Sequence, residues 1–118
     1  MNEDRLMQSV LLDFYGELLT EKQRDCFDLH YNEDLSLSEI AQQIGISRQG
    51  VWDNIRRAEE SLKDIEEKTG LAARFFDTSR ALEKLSKQLS RIEELSSGEA
   101  KSLAAQAKDD IEALLSRG

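Results

Sequence analysis

Ser47, Arg48, Gln49, Trp52, Arg56 and Arg57 fall within one short stretch of the chain, and these residue types are suited to meeting nucleic acid. Arginine offers a planar fork of donors that fits guanine O6 and N7 or a phosphate, and glutamine pairs with adenine N6 and N7. Glu59, Glu60 and Asp64 follow directly. Carboxylates there repel phosphate and suit a basic protein partner instead. On a helix turning about 100° per residue, with Val51, Ile55 and Leu62 inward, the outward set is Gln49, Asp53, Arg56, Arg57, Glu60 and Asp64. Arg48 and Trp52 lie on the flanks. Such a face has two possible uses. Gln49 and Arg56 can read bases, or Asp53–Arg57 and Arg56–Glu60 can close as i,i+4 pairs on a solvated surface. Trp52, the one tryptophan, either packs against a neighbouring helix or a dimer partner, or touches a base.

Little else in the chain has the composition of a reactive site. His30 is the one histidine and has no Cys or acidic cluster at ligand spacing, so it reads as structural rather than as a metal ligand or general base. Cys26, the one cysteine, lies in a helical pattern and reads as a small core residue. Asp109, Asp110 and Glu112 read as a solvated face. There is no phosphate-binding glycine loop, no dinucleotide glycine fingerprint and no HExxH. The expectation is a protein that is not an enzyme, with no catalytic residues, metal or cofactor.

The elements that position the basic stretch carry start and stop signals. Ser36 and Glu39 have capping-box spacing, and Leu37, Ile40, Ala41 and Ile44 then follow at i, i+3, i+4 and i+7. Gly45 ends this short helix where positive φ is needed, Ile46 plugs the turn, and Ser47 caps the next helix. An apolar start, a small residue where two helices cross, a turn glycine and an apolar plug make a helix-turn-helix. The second helix of such a unit enters the DNA major groove. It is long here: Val51, Ile55, Ala58, Leu62 and Ile65 step by four and three past the end of an ordinary recognition helix, until Thr69-Gly70. Gly50 inside it costs about 1 kcal/mol relative to alanine.

Around this unit the pattern stays helical. A first helix over residues 3–18 is expected to bury Met7, Val10, Leu11, Phe14 and Leu18. Thr20 and Gln23 form a capping box for a second, which supplies Cys26, Phe27, Leu29 and Tyr31, with Asn32-Glu33-Asp34 as the loop after it. Beyond Gly70, Phe75, Leu82, Leu85, Leu89 and Ile92 form another seam. A kink is expected near the two phenylalanines, with the helix restarting at Asp77, Thr78 or Ser79. Ser96 and Glu99 cap a last helix over residues 99–116, with Leu103, Ala107, Ile111 and Leu114 on one face. No strand alternation appears. The fold expected is all-α, with a helix-turn-helix domain at 1–70 and a C-terminal helical extension at 71–118 that packs or dimerises. The two seams can pair within one chain as a hairpin at Gly70, or across two chains, and a homodimer is the expected state.

Charge complicates a DNA-binding role. The 118 residues carry a formal charge of −8. Residues 1–70 hold 16 acids and 8 bases, whereas residues 71–118 hold 8 of each. The entire imbalance sits with the helix-turn-helix, which weakens non-specific attraction to phosphates. One cysteine suits a reducing compartment, and neither a membrane-spanning run nor a signal-peptide pattern appears; a cytoplasmic protein without a membrane partner is expected.

Several phrases resemble the YlxM family of small Gram-positive bacterial proteins. They are Asp13-Phe14-Tyr15, Leu18-Leu19-Thr20, Lys22-Gln23, the run from Asp34 to Ala41, and the run from Ser47 to Arg57. The likeness covers about residues 6–70. It implies a fold similar to region 4 of bacterial sigma factors and a regulatory role beside the signal recognition particle, because the family's genes adjoin those of the particle's GTPase and its receptor. Sigma recognition helices usually carry Arg at the positions of Gly50 and Trp52, a polar, non-acidic residue at Asp53, and basic turns where this chain has Glu59, Glu60, Asp64, Glu66 and Glu67. The expected function is therefore modulation of the signal recognition particle pathway through its protein or RNA. The alternative is a DNA-binding transcriptional regulator. Candidate nucleic-acid contacts are Ser47, Arg48, Gln49, Trp52, Arg56 and Arg57. Candidate partner contacts are Glu59, Glu60 and Asp64.

Overall fold

A computed structural model describes residues 3–117. Six helices make up nearly all of it, and no strand occurs among the described residues. They are α1 (Glu3–Tyr15), α2 (Glu21–Tyr31), α3 (Leu37–Ile44), α4 (Arg48–Thr69), α5 (Leu71–Leu95) and α6 (Gly98–Arg117), with a short 3-10 turn at Gly16–Leu18 between α1 and α2. The all-α expectation holds. The chain divides into two compact units after Ala72.

The helix starts are set by side chains near in sequence. Thr20 Oγ1 accepts the Gln23 N–H at 3.2 Å while Gln23 Oε1 accepts the Thr20 N–H. Ser36 and Glu39 repeat the arrangement at 3.1 Å in both directions. Ser47 Oγ accepts the Gly50 N–H at 3.0 Å. Each satisfies donors that the first helical turn leaves unpaired. Gly45 takes φ 82° and Gly70 takes φ 64°, which L side chains rarely adopt, and these two residues stop α3 and α4.

The Ser36 box makes a prediction about acid stability. The bond from the Ser36 backbone N–H, and then the one to its side chain, holds the Glu39 carboxyl below the usual carboxylate range. A carboxyl lowered in the folded state stabilises above the unfolded value and loses that contribution as pH falls through the folded one. Ser36→Ala is expected to cost about 1 kcal/mol at neutral pH, with a shallower acid limb than the parent. Thermal melts between neutral and acid pH check both effects.

Two apolar clusters hold the N-terminal unit together. The first joins Leu11, Tyr15 and Leu19 to Phe27, Ala58, Leu62 and Ala72. The second joins Cys26, Ile40, Ala41, Val51 and Ile55, and Tyr31 packs against both. Cys26 is fully buried, which raises its thiol pKa, with Asp25 adding to the effect. It is a core residue, as expected. Ala41 is buried in the second cluster, beside residues of α2 and α4.

The first helix differs from expectation in its phase. Tyr15 and Leu19 are buried, whereas Phe14 and Leu18 are exposed. The stripe centred on Leu11 runs on to Tyr15, whose hydroxyl donates to Glu66 Oε1 at 2.7 Å and also meets Thr69 Oγ1. The tighter 3-10 turn then advances the chain further per residue and brings Leu19, not Leu18, inward.

The second unit begins at Ala73. The expected kink near Phe75 and Phe76 is absent: α5 runs unbroken, and Asp77, Thr78 and Ser79 lie inside it. No Gly or Pro interrupts this stretch. The two rings meet edge to face at 5.7 Å along the helix surface. The Ser96 hydroxyl donates back to the Ile92 carbonyl at the end of α5, and Gly98, at φ 64°, opens α6.

Candidate nucleic-acid and partner interface

The site is built on α3, Gly45 and the first turns of α4. Ser47 is committed to the cap. Its cap also accounts for Gly50, where a Cβ would come within 3.1 Å of the Ser47 hydroxyl. Glycine leaves the cap undisturbed, which offsets its poor helix propensity.

From that cap α4 presents its candidates in order. Arg48, Gln49, Trp52, Arg56 and Arg57 are all exposed. Leu37, Arg48, Gln49 and Trp52 line an open cleft of about 700 Å³. Trp52 is 44% exposed, and the Arg56 guanidinium lies over its ring at 5.0 Å. Trp52 thus serves as a surface platform held by a cation–π contact.

Two of the base-reading candidates are engaged on their own helix. Gln49 Nε2 donates to Asp53 Oδ1 at 3.1 Å. Arg56 pairs with Glu60 at 3.3 Å, as the i,i+4 spacing leads one to expect. The expected Asp53–Arg57 pair does not form, because Asp53 turns one step back to Gln49. Arg48 and Arg57 have no ion pair among the described residues. Arg57 shares a shallow hollow with Gln23, Glu60, Ser61 and Asp64.

The three acidic candidates differ from one another. Glu60 and Asp64 are exposed, and Asp64 pairs with Lys68 at 3.0 Å. Glu59 is half-buried and accepts the Tyr31 hydroxyl at 2.6 Å. Burial, and then the bond to Glu59, pushes the Tyr31 phenol well above its ordinary range. Glu59 therefore helps to join α2 to α4, and Glu60 and Asp64 are the acids offered to solvent.

Sequence patterning gave no sign of Arg5. From α1 it donates to the carbonyls of His30 and Tyr31 at 3.2 and 3.1 Å and pairs with Asp34 at 2.8 Å. Asp34 adopts φ 57° in this loop. Arg5 thereby fastens the end of α2 and sets the entry to α3. His30 packs edge-on against Tyr31, and its Nδ1 lies 3.4 Å from the Leu35 carbonyl, so its contacts are structural. Among the described residues no three of His, Cys, Asp and Glu gather as a metal site. No helix there is long and apolar enough to cross a membrane.

Residues 2–101 match the family model described as "UPF0122: Putative helix-turn-helix protein, YlxM / p13 like". The chain is 47% identical over 94 residues to a UPF0122 protein of Thermoanaerobacter sp. (strain X514), covering 80% of each. A UPF0122 protein of Desulforamulus reducens is 40% identical over 109 residues, 92% of this chain and 91% of the relative. A third, from Bacillus cereus, is 45% identical over 93 residues, 79% and 84% of the two.

Proposed function

For a chain that belongs to the UPF0122 family of YlxM/p13-like helix-turn-helix proteins, we propose a regulatory role in the signal recognition particle pathway, exerted through protein or RNA contacts of α4. The charge layout of α4 supports this. Residues 48–57 hold three arginines and one aspartate, and residues 58–69 hold five acids and two lysines. The arginine end carries the positive pole of the helix and suits phosphate. The acidic end, with Glu60 and Asp64 outward, suits a basic protein. A particle made of RNA and protein offers both surfaces, whereas a duplex offers phosphate throughout. The link to this particular particle rests on the family resemblance. Binding of the chain to the reconstituted particle, measured beside binding to a random DNA duplex, tests the proposal.

A second function, transcriptional regulation through DNA, is favoured by one observation: Arg48, Gln49, Trp52, Arg56 and Arg57 are all exposed on the helix that a helix-turn-helix inserts into the major groove. The bonds Gln49–Asp53 and Arg56–Glu60 weigh against it. Each must open before its side chain can reach a base, and opening leaves a carboxylate facing the phosphates.

A further inference from the structure

We propose that the C-terminal unit is a self-association surface, on which α5 and α6 meet the same helices of a second copy of this chain. This is independent of the particle contact proposed for α4.

Both buried clusters belong to the N-terminal unit, and in the second unit Ala104 is the buried apolar residue among those described. Five of that unit's large apolar side chains are exposed, Leu85 at 45%, Ile92 at 49%, Leu95 at 70%, Leu103 at 57% and Leu114 at 52%, while Leu82, Leu89, Ile111 and Leu115 are half-buried. Isolated exposed leucines need no explanation, but these recur at helical spacing along two successive helices.

The heptad layout of α5 adds direction. With Leu82 and Leu89 at position a, and Leu85 and Ile92 at position d, the charges Arg80, Glu83, Lys84, Lys87, Arg91 and Glu94 all fall at b, c and f. Positions e and g between Ser79 and Gln88 are uncharged. From Ser79 to Gln88 the apolar seam is thus flanked by small or neutral residues with the charged ones facing away, and Glu93, at position e beside Ile92, is the charged residue on its flank further along. A helix built in this way fits another apolar seam, and the nearest available match is the same seam on another copy.

Net charge favours the same occupant. Residues 71–118 hold 8 acids and 8 bases, while the excess of acids lies entirely in residues 1–70. Two copies meeting through their neutral second units avoid the repulsion that would oppose contact between the acidic first units. A strongly charged partner would gain nothing from this face.

Light scattering on the full-length chain tests the proposal. The expected mass at micromolar concentration is twice the 13.4 kDa of one chain. The double variant Leu85→Glu, Ile92→Glu is expected to run as a monomer, with the dimer dissociation constant raised at least about 100-fold. Lys84→Ala with Lys87→Ala, on the outer positions, is expected to leave the dimer intact. A second pair, Leu103→Glu with Leu114→Glu, reads the same surface from α6, and circular dichroism confirms that each variant keeps its helices. A parent chain of single mass up to about 100 µM would overturn the proposal, as would a dimer unaffected by both apolar pairs.

Discussion

Phe27→Ala is expected to destabilise the N-terminal unit by about 3–5 kcal/mol. Phe27 is fully buried, at the meeting of α1, α2 and α4, and its ring lies 4.7 Å from that of Tyr31. Removing it opens a cavity within the first cluster, beside Tyr31. It also frees Tyr31, which packs against both clusters and holds Glu59 of α4 through its hydroxyl. A loss of that size approaches the whole stability of a small domain, so the variant is expected to be largely unfolded near body temperature. Urea titration followed by helix ellipticity measures it. A cost near 1 kcal/mol would mean that the two clusters hold α4 without this ring between them.

The second large effect concerns association. Glu60→Lys with Asp64→Lys is expected to slow binding to the particle's protein by about tenfold or more at low salt, with the difference shrinking as salt rises. Both acids are exposed, and each is paired only with a neighbour one turn away, Arg56 and Lys68. Surface pairs of this kind contribute little to stability, so the fold is expected to survive the double change. Glu59 is left intact in this test because its carboxylate serves Tyr31. Stopped-flow rates for parent and variant decide the matter. An unchanged or faster rate would move the contact away from the acidic half of α4.

What the sequence disclosed about this fold was local. The capping pairs Thr20–Gln23 and Ser36–Glu39, the Ser47 cap and the left-handed Gly45 each depend on residues a few positions apart, and each formed as the pattern implied. The buried stripe of α4 was equally legible, because Val51, Ile55, Ala58 and Leu62 share one face of one helix. Contacts between distant segments were not. The inward turn of Tyr15 depends on Glu66, 51 residues away, and the role of Arg5 depends on carbonyls 25 and 26 residues away. No periodicity signals either. At the site, spacing correctly marked Arg56–Glu60 but not the choice of Asp53 between Gln49 and Arg57, since both partners sit one turn from it. The absent kink has a similar origin: Asp77, Thr78 and Ser79 are good helix starters, but with no Gly or Pro nearby α5 simply continues through them.

Whether α4 serves a protein or RNA partner rather than a DNA duplex is decided by fluorescence anisotropy. The labelled chain is titrated at low salt with the reconstituted signal recognition particle and, separately, with a random-sequence duplex. Binding to the particle is expected to be at least about ten times tighter than to the duplex. Duplex affinity on the order of 10⁻⁶ to 10⁻⁴ M that falls with salt, together with no binding to the particle, would contradict it and restore the arginines of α4 to DNA.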